Sequence, residues 1–130
     1  MFSSIWQDIK GYFSHGNMLT RIILVNIGGF LLLLLARLIL PAFGGLEVFE
    51  NFKYALMIGA DWRHNLIHPW VFITHMFLHE GLWHLLWNMF GLYWFGRIVG
   101  DLLGDRRVLP IYLLSGFAGG VVFFLSLIHI

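Results

Sequence analysis

The chain has 130 residues, 59% of them hydrophobic and only 12% charged, about half the charge of an ordinary soluble domain. A net charge of +1 argues against a nucleic-acid partner, and the absence of cysteine excludes disulfides and thiolate metal sites. Six Trp and thirteen Phe suit membrane interfaces and lipid-facing helices, so the composition is that of an integral membrane protein whose first partner is the lipid bilayer.

Residues 1–21 form a leader in which Ile5, Trp6, Ile9, Tyr12 and Phe13 recur near helical spacing. That pattern predicts a short amphipathic helix lying on the inner membrane surface. The run Ile22 to Leu40 is almost wholly apolar and close to the ~20 residues a helix needs to cross hydrocarbon. It is too long and begins too late for a cleaved signal peptide, and no small-x-small site follows it. Arg37 sits one turn from its end, where a long cationic side chain snorkels to the interface. A second span is expected over Gly81 to Gly96, followed by a loop from Arg97 to Arg107. A third is expected over residues 108–124, with Pro110 in its first turn, where the missing N–H has no helical partner to lose. The fold class is therefore all-α, a polytopic transmembrane helix bundle.

Charge bias orients it. Lys10 and Arg21 precede the first span, and Arg97, Arg106 and Arg107 lie between the second and third. The long connection between the first two spans has only Lys53 and Arg63 against Glu47, Glu50 and Asp61. The positive-inside rule then places the N-terminus and the Arg97–Arg107 segment in the cytoplasm and the long connection outside.

The polar residues of "THMFLHEGLWHLLWN", Thr74 to Asn88, stand out in this apolar setting. At about 100° per residue His84 and Asn88 are one turn apart on one stripe, as are His75 and His79. On one unbroken helix the two pairs would face opposite ways. Glu80-Gly81 interrupts the run, so His75 and His79 are expected in the outer connection, away from the stripe of His84 and Asn88. Three explanations compete. "HEGLWH" misses the metalloprotease pattern H-E-x-x-H, because Trp83 stands where the second ligand belongs. Histidines satisfied by polar neighbours are the natural reading of His15, His64 and His68. A polar pair inside a span is costly and usually functional, which leaves His84 and Asn88 as donors to a developing oxyanion.

The run from Thr74 to Gly120 resembles the rhomboid family of intramembrane serine proteases through "THMFLH", "HLLWN" in an H-x-x-x-N pattern, "WFGRIVGDLLGDRR" and "IYLLSGFAGG". The resemblance implies a six-helix core of which this chain carries three N-terminal spans. It implies cleavage of transmembrane protein substrates near the outer face, in a bacterial cell membrane, without cofactor or metal. In that family the serine lies in a G-x-S-G motif on the fourth helix and its base histidine on the sixth. The His and Asn of the second helix match His84 and Asn88 and are implied to stabilise the oxyanion; the two upstream histidines match His75 and His79, implied to pack and hydrogen-bond around the site. The family often carries Trp-Arg in the first outer loop; here Trp70 is followed by Val71, and Trp62-Arg63 lies too far upstream. Asp101 stands as a shifted equivalent of an acidic residue at the end of the second helix.

Neither nucleophile nor base is expected among these residues. Leu113 stands two before Ser115, so G-x-S-G is absent, and Ser115 with Gly116, Gly119 and Gly120 reads as a small face for close helix packing. Ser126 and His129 are too close to the terminus to form a supported pair. The last six residues, "LSLIHI", back-translate to CTG TCT CTT ATA CAC ATC, the start of a transposase sequencing adapter. The natural chain is thus expected to end near Phe124, with residues 125–130 non-native and the whole a truncated rhomboid endopeptidase without activity of its own. The alternatives are a rhomboid pseudoprotease that binds membrane helices uncut, and a haem- or metal-binding membrane protein using His75, His79 and His84.

Overall fold

In the computed structural model, which describes residues 1–129, every regular element is helical. The leader folds as α1, Phe2–His15, with no buried residue; Phe2, Ile5, Trp6, Ile9, Tyr12 and Phe13 are all exposed. The helix stops at Gly16, whose N–H still bonds the Tyr12 carbonyl at 2.9 Å. Asn17 then starts α2, Met18–Ile39, its side-chain oxygen accepting the Thr20 N–H at 2.9 Å, as an N-cap asparagine does. Pro41 tightens the end of α2 into a 3₁₀ turn, Leu40–Phe43, and Gly44, at φ +74, stops it in a conformation that suits glycine.

The connection to the next long helix is built of short pieces: α3, Leu46–Leu56; α4, Trp62–Ile67; α5, Val71–Thr74; and a 3₁₀ turn, His75–Phe77. Asn65, fully buried, pins a bend among them by exchanging two 2.9 Å hydrogen bonds with the backbone of Gly59. Two long helices follow, α6 over Leu82–Leu103 and α7 over Asp105–His129. Ile130 lies outside the described residues, so the expected non-native tail is seen only as the last turns of α7.

The expected loop from Arg97 to Arg107 is corrected by this architecture. Arg97 to Leu103 continue α6, and Asp105 already begins α7. Gly104 alone separates them, at φ +91 and ψ 155, a region essentially closed to residues with a Cβ. Pro110 is accordingly the sixth residue of its helix, one turn deeper than expected, and the carbonyl four residues before it loses its helical donor. Gly100 lies against Val108, the two placed symmetrically about Gly104, so α6 and α7 form an antiparallel hairpin.

α2 packs against both arms. Leu19 presses into Gly96 so closely that a Cβ there would sit 2.5 Å from a leucine methyl. Leu19, Ile22 and Val108 form a buried cluster at the hairpin end, extended by Leu92, Val99 and Leu109. The Asp105 carboxylate accepts the backbone N–H of Met18 at 2.7 Å, tying the start of α7 to the start of α2. Met18–Phe43 and Asp105–His129 are long and apolar enough to cross a membrane. α6 has 22 residues and carries His84, Asn88, Arg97 and Asp101 along its length.

Candidate functional site

At the end of the bundle opposite Gly104, α6 and α7 diverge around a cavity of about 390 Å³. α6 contributes His84, Asn88, Met89 and Leu92; α7 contributes Tyr112, Ser115 and Gly119; the segment before α6 contributes His75, Met76 and His79. α6 begins at Leu82, so His84 lies in its first turn and Asn88 one turn on. Neither side chain is hydrogen-bonded to another described residue, so both lining groups keep their donors unspent. All four singled-out residues, His75, His79, His84 and Asn88, therefore reach one cavity.

The geometry corrects one expectation. His79 was expected away from the stripe of His84 and Asn88, but its ring lies 5.3 Å from that of His84, edge-on at 68°. The chain is extended at Gly81, φ −140 and ψ 151, which lets the preceding segment fold back along α6 and bring His79 to His84 despite their different helical phase. His79 is 4% exposed, and its Nδ1 is buried without a hydrogen-bond partner. Burial holds its pKa below the ordinary imidazole value, and the neighbouring His84 pushes the same way.

His75 is anchored instead. Its Nδ1 lies 2.8 Å from the Val71 carbonyl, and its ring packs on Gly120, where a Cβ would approach it to 3.0 Å. Met76 sits on Gly116, leaving no room for a side chain. The small face of α7 receives the connecting segment at Gly116 and Gly120, and Ser115, Gly116 and Gly119 line the cavity.

Sequence reasoning missed two residues behind this wall. Asn26 of α2 is fully buried; its Nδ2 donates to the Ile22 carbonyl at 2.8 Å and to the Tyr112 hydroxyl at 3.2 Å. Tyr112 in turn reaches the Met76 carbonyl at 3.4 Å. One asparagine thus links α2, α7 and the segment bearing the histidines. The available signal was a lone amide inside the most apolar run of the chain.

The remaining histidines are held by neighbours. His64 stacks between Tyr54 and His68 and lies 3.3 Å from the Met57 carbonyl. His68 lies 3.0 Å from the His64 carbonyl, and His15 is 2.8 Å from the Ser14 hydroxyl. Ser126 bonds back to the Phe123 carbonyl at 2.6 Å, away from the cavity. Trp70 donates to the Ala55 carbonyl at 2.7 Å, and Val71, where the resemblance would have Arg, is completely buried. Asp101 lies in the last turn of α6, roughly 25 Å along the helix from His84 at 1.5 Å per residue. Among the described residues, no three His, Asp or Glu side chains gather as a metal-ligand set.

Comparison with known proteins bears on the same segment. The rhomboid domain family matches residues 67–129, which include the cavity and both arms of the hairpin. This segment of the chain is a rhomboid domain. Three Arabidopsis thaliana proteins illustrate the likeness. RHOMBOID-like protein 6, mitochondrial, is 43% identical over 68 residues, half of this chain and 22% of that protein. Rhomboid-like protein 16, chloroplastic, is 39% identical over 74 residues, 57% of this chain and 20% of that protein. RHOMBOID-like protein 7 is 33% identical over 97 residues, 64% of this chain and 31% of that protein. The chain thus spans about a fifth to a third of the length of these relatives. No solved structure matches. With its two long apolar helices, the chain is an all-helical membrane protein.

Proposed function

We propose that this chain supplies the oxyanion-binding side of an intramembrane serine endopeptidase acting on transmembrane protein substrates. The observation that carries the reading is the pair His84 and Asn88, one turn apart on α6, both lining one cavity with no hydrogen-bond partner among the described residues. Past the first turn of α6 no backbone N–H is free, so at Asn88 a side-chain donor is the available means of meeting a developing negative charge, and His84, in the first turn, adds its ring beside it. We place the nucleophile and its base outside these residues, because no G-x-S-G occurs among them and Ser115, though it lines the cavity, is hydrogen-bonded to none of the cavity histidines. We read α6 as a third span, and the excess of Lys and Arg at the α1 and Gly104 end as placing that end in the cytoplasm, so that the cavity faces out.

The test uses a longer version of the chain that carries the G-x-S-G serine and the later histidine. His84→Ala and Asn88→Ala should each lower turnover on the order of 10²-fold, or roughly 3 kcal/mol, with substrate binding and thermal melting little changed. Asn88→Asp should be at least as damaging, because an ionised carboxylate accepts where the amide donates. Normal turnover in both His84→Ala and Asn88→Asp would overturn the assignment. A chain of these relatives that binds membrane helices but lacks the serine would be a pseudoprotease, and inactivity of the longer wild-type version would favour that reading. The 130 residues alone should cleave nothing; cleavage abolished by Ser115→Ala would refute the division of roles. Orientation is tested separately: a cysteine at position 105 should react only from the cytoplasmic side, and one at position 61 only from the outside.

A further inference from the structure

A second cavity, of about 440 Å³, lies on the other side of His79, between α2, α3 and the start of α6. Its size falls within the roughly 300–1,000 Å³ of small-molecule sites. Its walls are mainly hydrocarbon, including Leu34 of α2, Phe49 of α3 and Leu78, with Arg37, Lys53, Glu80 and His79 among the lining groups. Their charges are not equivalent. Lys53 is neutralised by Glu50 at 3.0 Å and Glu80 at 3.4 Å. Arg37 has neither an ion pair nor a side-chain hydrogen bond among the described residues. His79, buried with Nδ1 unpartnered, adds an unused hydrogen-bonding atom to an otherwise apolar wall.

We propose that this cavity is a phospholipid site, with the lipid phosphate on Arg37 and an acyl chain against Leu34, Phe49 and Leu78. An unpaired guanidinium calls for an anion, and hydrocarbon walls call for an apolar chain; a phospholipid carries both on one molecule. The position agrees. Arg37 lies in the last turn of a helix long enough to span hydrocarbon, at the depth where cationic side chains meet lipid phosphates. His79 lines both cavities, so the occupant bears on the wall shared with His84 and Asn88. The inference does not depend on proteolysis.

Native mass spectrometry of the detergent-purified chain, titrated in turn with phosphatidylglycerol, dioleoylglycerol and inorganic phosphate, tests it. Wild type should retain phosphatidylglycerol, and neither other probe should be held comparably. Arg37→Gln should weaken retention roughly tenfold or more, the usual consequence of losing a hydrogen bond to a charged group. Arg37→Lys should recover part of it. Leu34→Trp should block the chain-binding part with the cation intact. Arg37 and Leu34 are both exposed, so both variants should keep the wild-type helical signal in circular dichroism. Arg63→Gln, which changes an exposed cation on α4, should bind as wild type. Equal retention by Arg37→Gln and wild type would reduce the lipid to unspecific coating and overturn the site. Retention of dioleoylglycerol or phosphate as strong as that of phosphatidylglycerol would overturn it as well. So would a dimer forming in place of the lipid complex, which would give the cavity to a second copy of the chain.

Discussion

The two ends of the helical bundle are built differently. At the Gly104 end, Leu19, Ile22 and Val108 are buried together, Leu19 fills the notch at Gly96, and the Asp105 carboxylate caps the start of α2. At the other end lie two cavities whose linings include, among the described residues, His79 with a buried nitrogen unpaired, Arg37 without a counter-ion, and His84 and Asn88 without hydrogen-bond partners. The contrast is one of degree: the Gly104 end also holds a cavity of about 470 Å³, lined in part by Asn17, Arg97 and Asp101, and a buried Arg21 Nε without a partner among the described residues. There, however, Asp105 and the Leu19 cluster tie the helices together, whereas at the other end Arg37, His84 and Asn88 join no such tie. The function proposed above would draw on both, because an open site holds its geometry only on a rigid base. Substitutions should therefore separate the ends: changes near Gly104 should cost stability, whereas changes at His84 and Asn88 should spare it.

The largest stability effect is expected at the turn itself. Gly104→Val must place a Cβ at φ +91 and ψ 155, which costs roughly 1–3 kcal/mol for a non-glycine residue if the turn is kept. Nothing lies within 4 Å of the Cβ position, so backbone strain is the expected cause rather than a clash. Gly104→Ala should cost a similar amount, since the penalty arises from any Cβ. Denaturant or thermal melts in detergent read both. A melt of Gly104→Ala equal to wild type would show that the hairpin end is looser than its geometry implies.

A smaller effect is expected where the two ends are joined. Asn26 is the polar link between them, buried in α2 and bonded to Tyr112, which in turn reaches Met76 beside the cavity. In a double-mutant cycle, Asn26→Leu and Tyr112→Phe should couple by about 0.6 kcal/mol, the average for hydrogen bonds between membrane helices. Additive losses would mean that the pair is merely adjacent and that the cavity wall is held by the fit of Met76 on Gly116 alone.

These residues also mark how far the sequence could be read. Long apolar runs announced α2 and α7, because spanning hydrocarbon imposes a length and a composition visible in one dimension. The pairing of His84 with Asn88 was equally legible, being set by helical periodicity within a single element. The failures came where the chain changes direction. Five charged residues between Arg97 and Arg107 look like a loop, yet they decorate the ends of two helices turned by Gly104. His79 looked remote from His84 because a wheel cannot show a segment folding back at Gly81. Asn26 was hidden for a different reason: its partner lies 86 positions away, and local pattern carries no trace of that contact.

The smallest expected effect is a dependence on pH, and it tests whether the open end is as dry as its geometry says. Burial and then His84 hold the His79 pKa below its ordinary value of 6.5, so the folded protein resists protonating a ring that the unfolded chain protonates freely. The sign follows. Between those two pKa values the unfolded state binds more protons, so stability rises with pH there. The contribution is complete above about pH 6.5 and falls away as pH drops through that value toward the folded pKa. Melting temperatures across that interval should decline toward acid in wild type. His79→Gln, which removes the titrating ring, should flatten the decline. His84→Ala should reduce it without abolishing it, because burial is the larger cause and the neighbouring ring the smaller. The other groups near this wall are the Glu80 carboxylate, paired with Lys53, and His75, bonded to the Val71 carbonyl; both remain in each variant, so any slope they contribute cancels in the comparison. A decline identical in wild type and His79→Gln would show that water reaches the ring, and the contrast between a closed end and a dry open one would fail at His79.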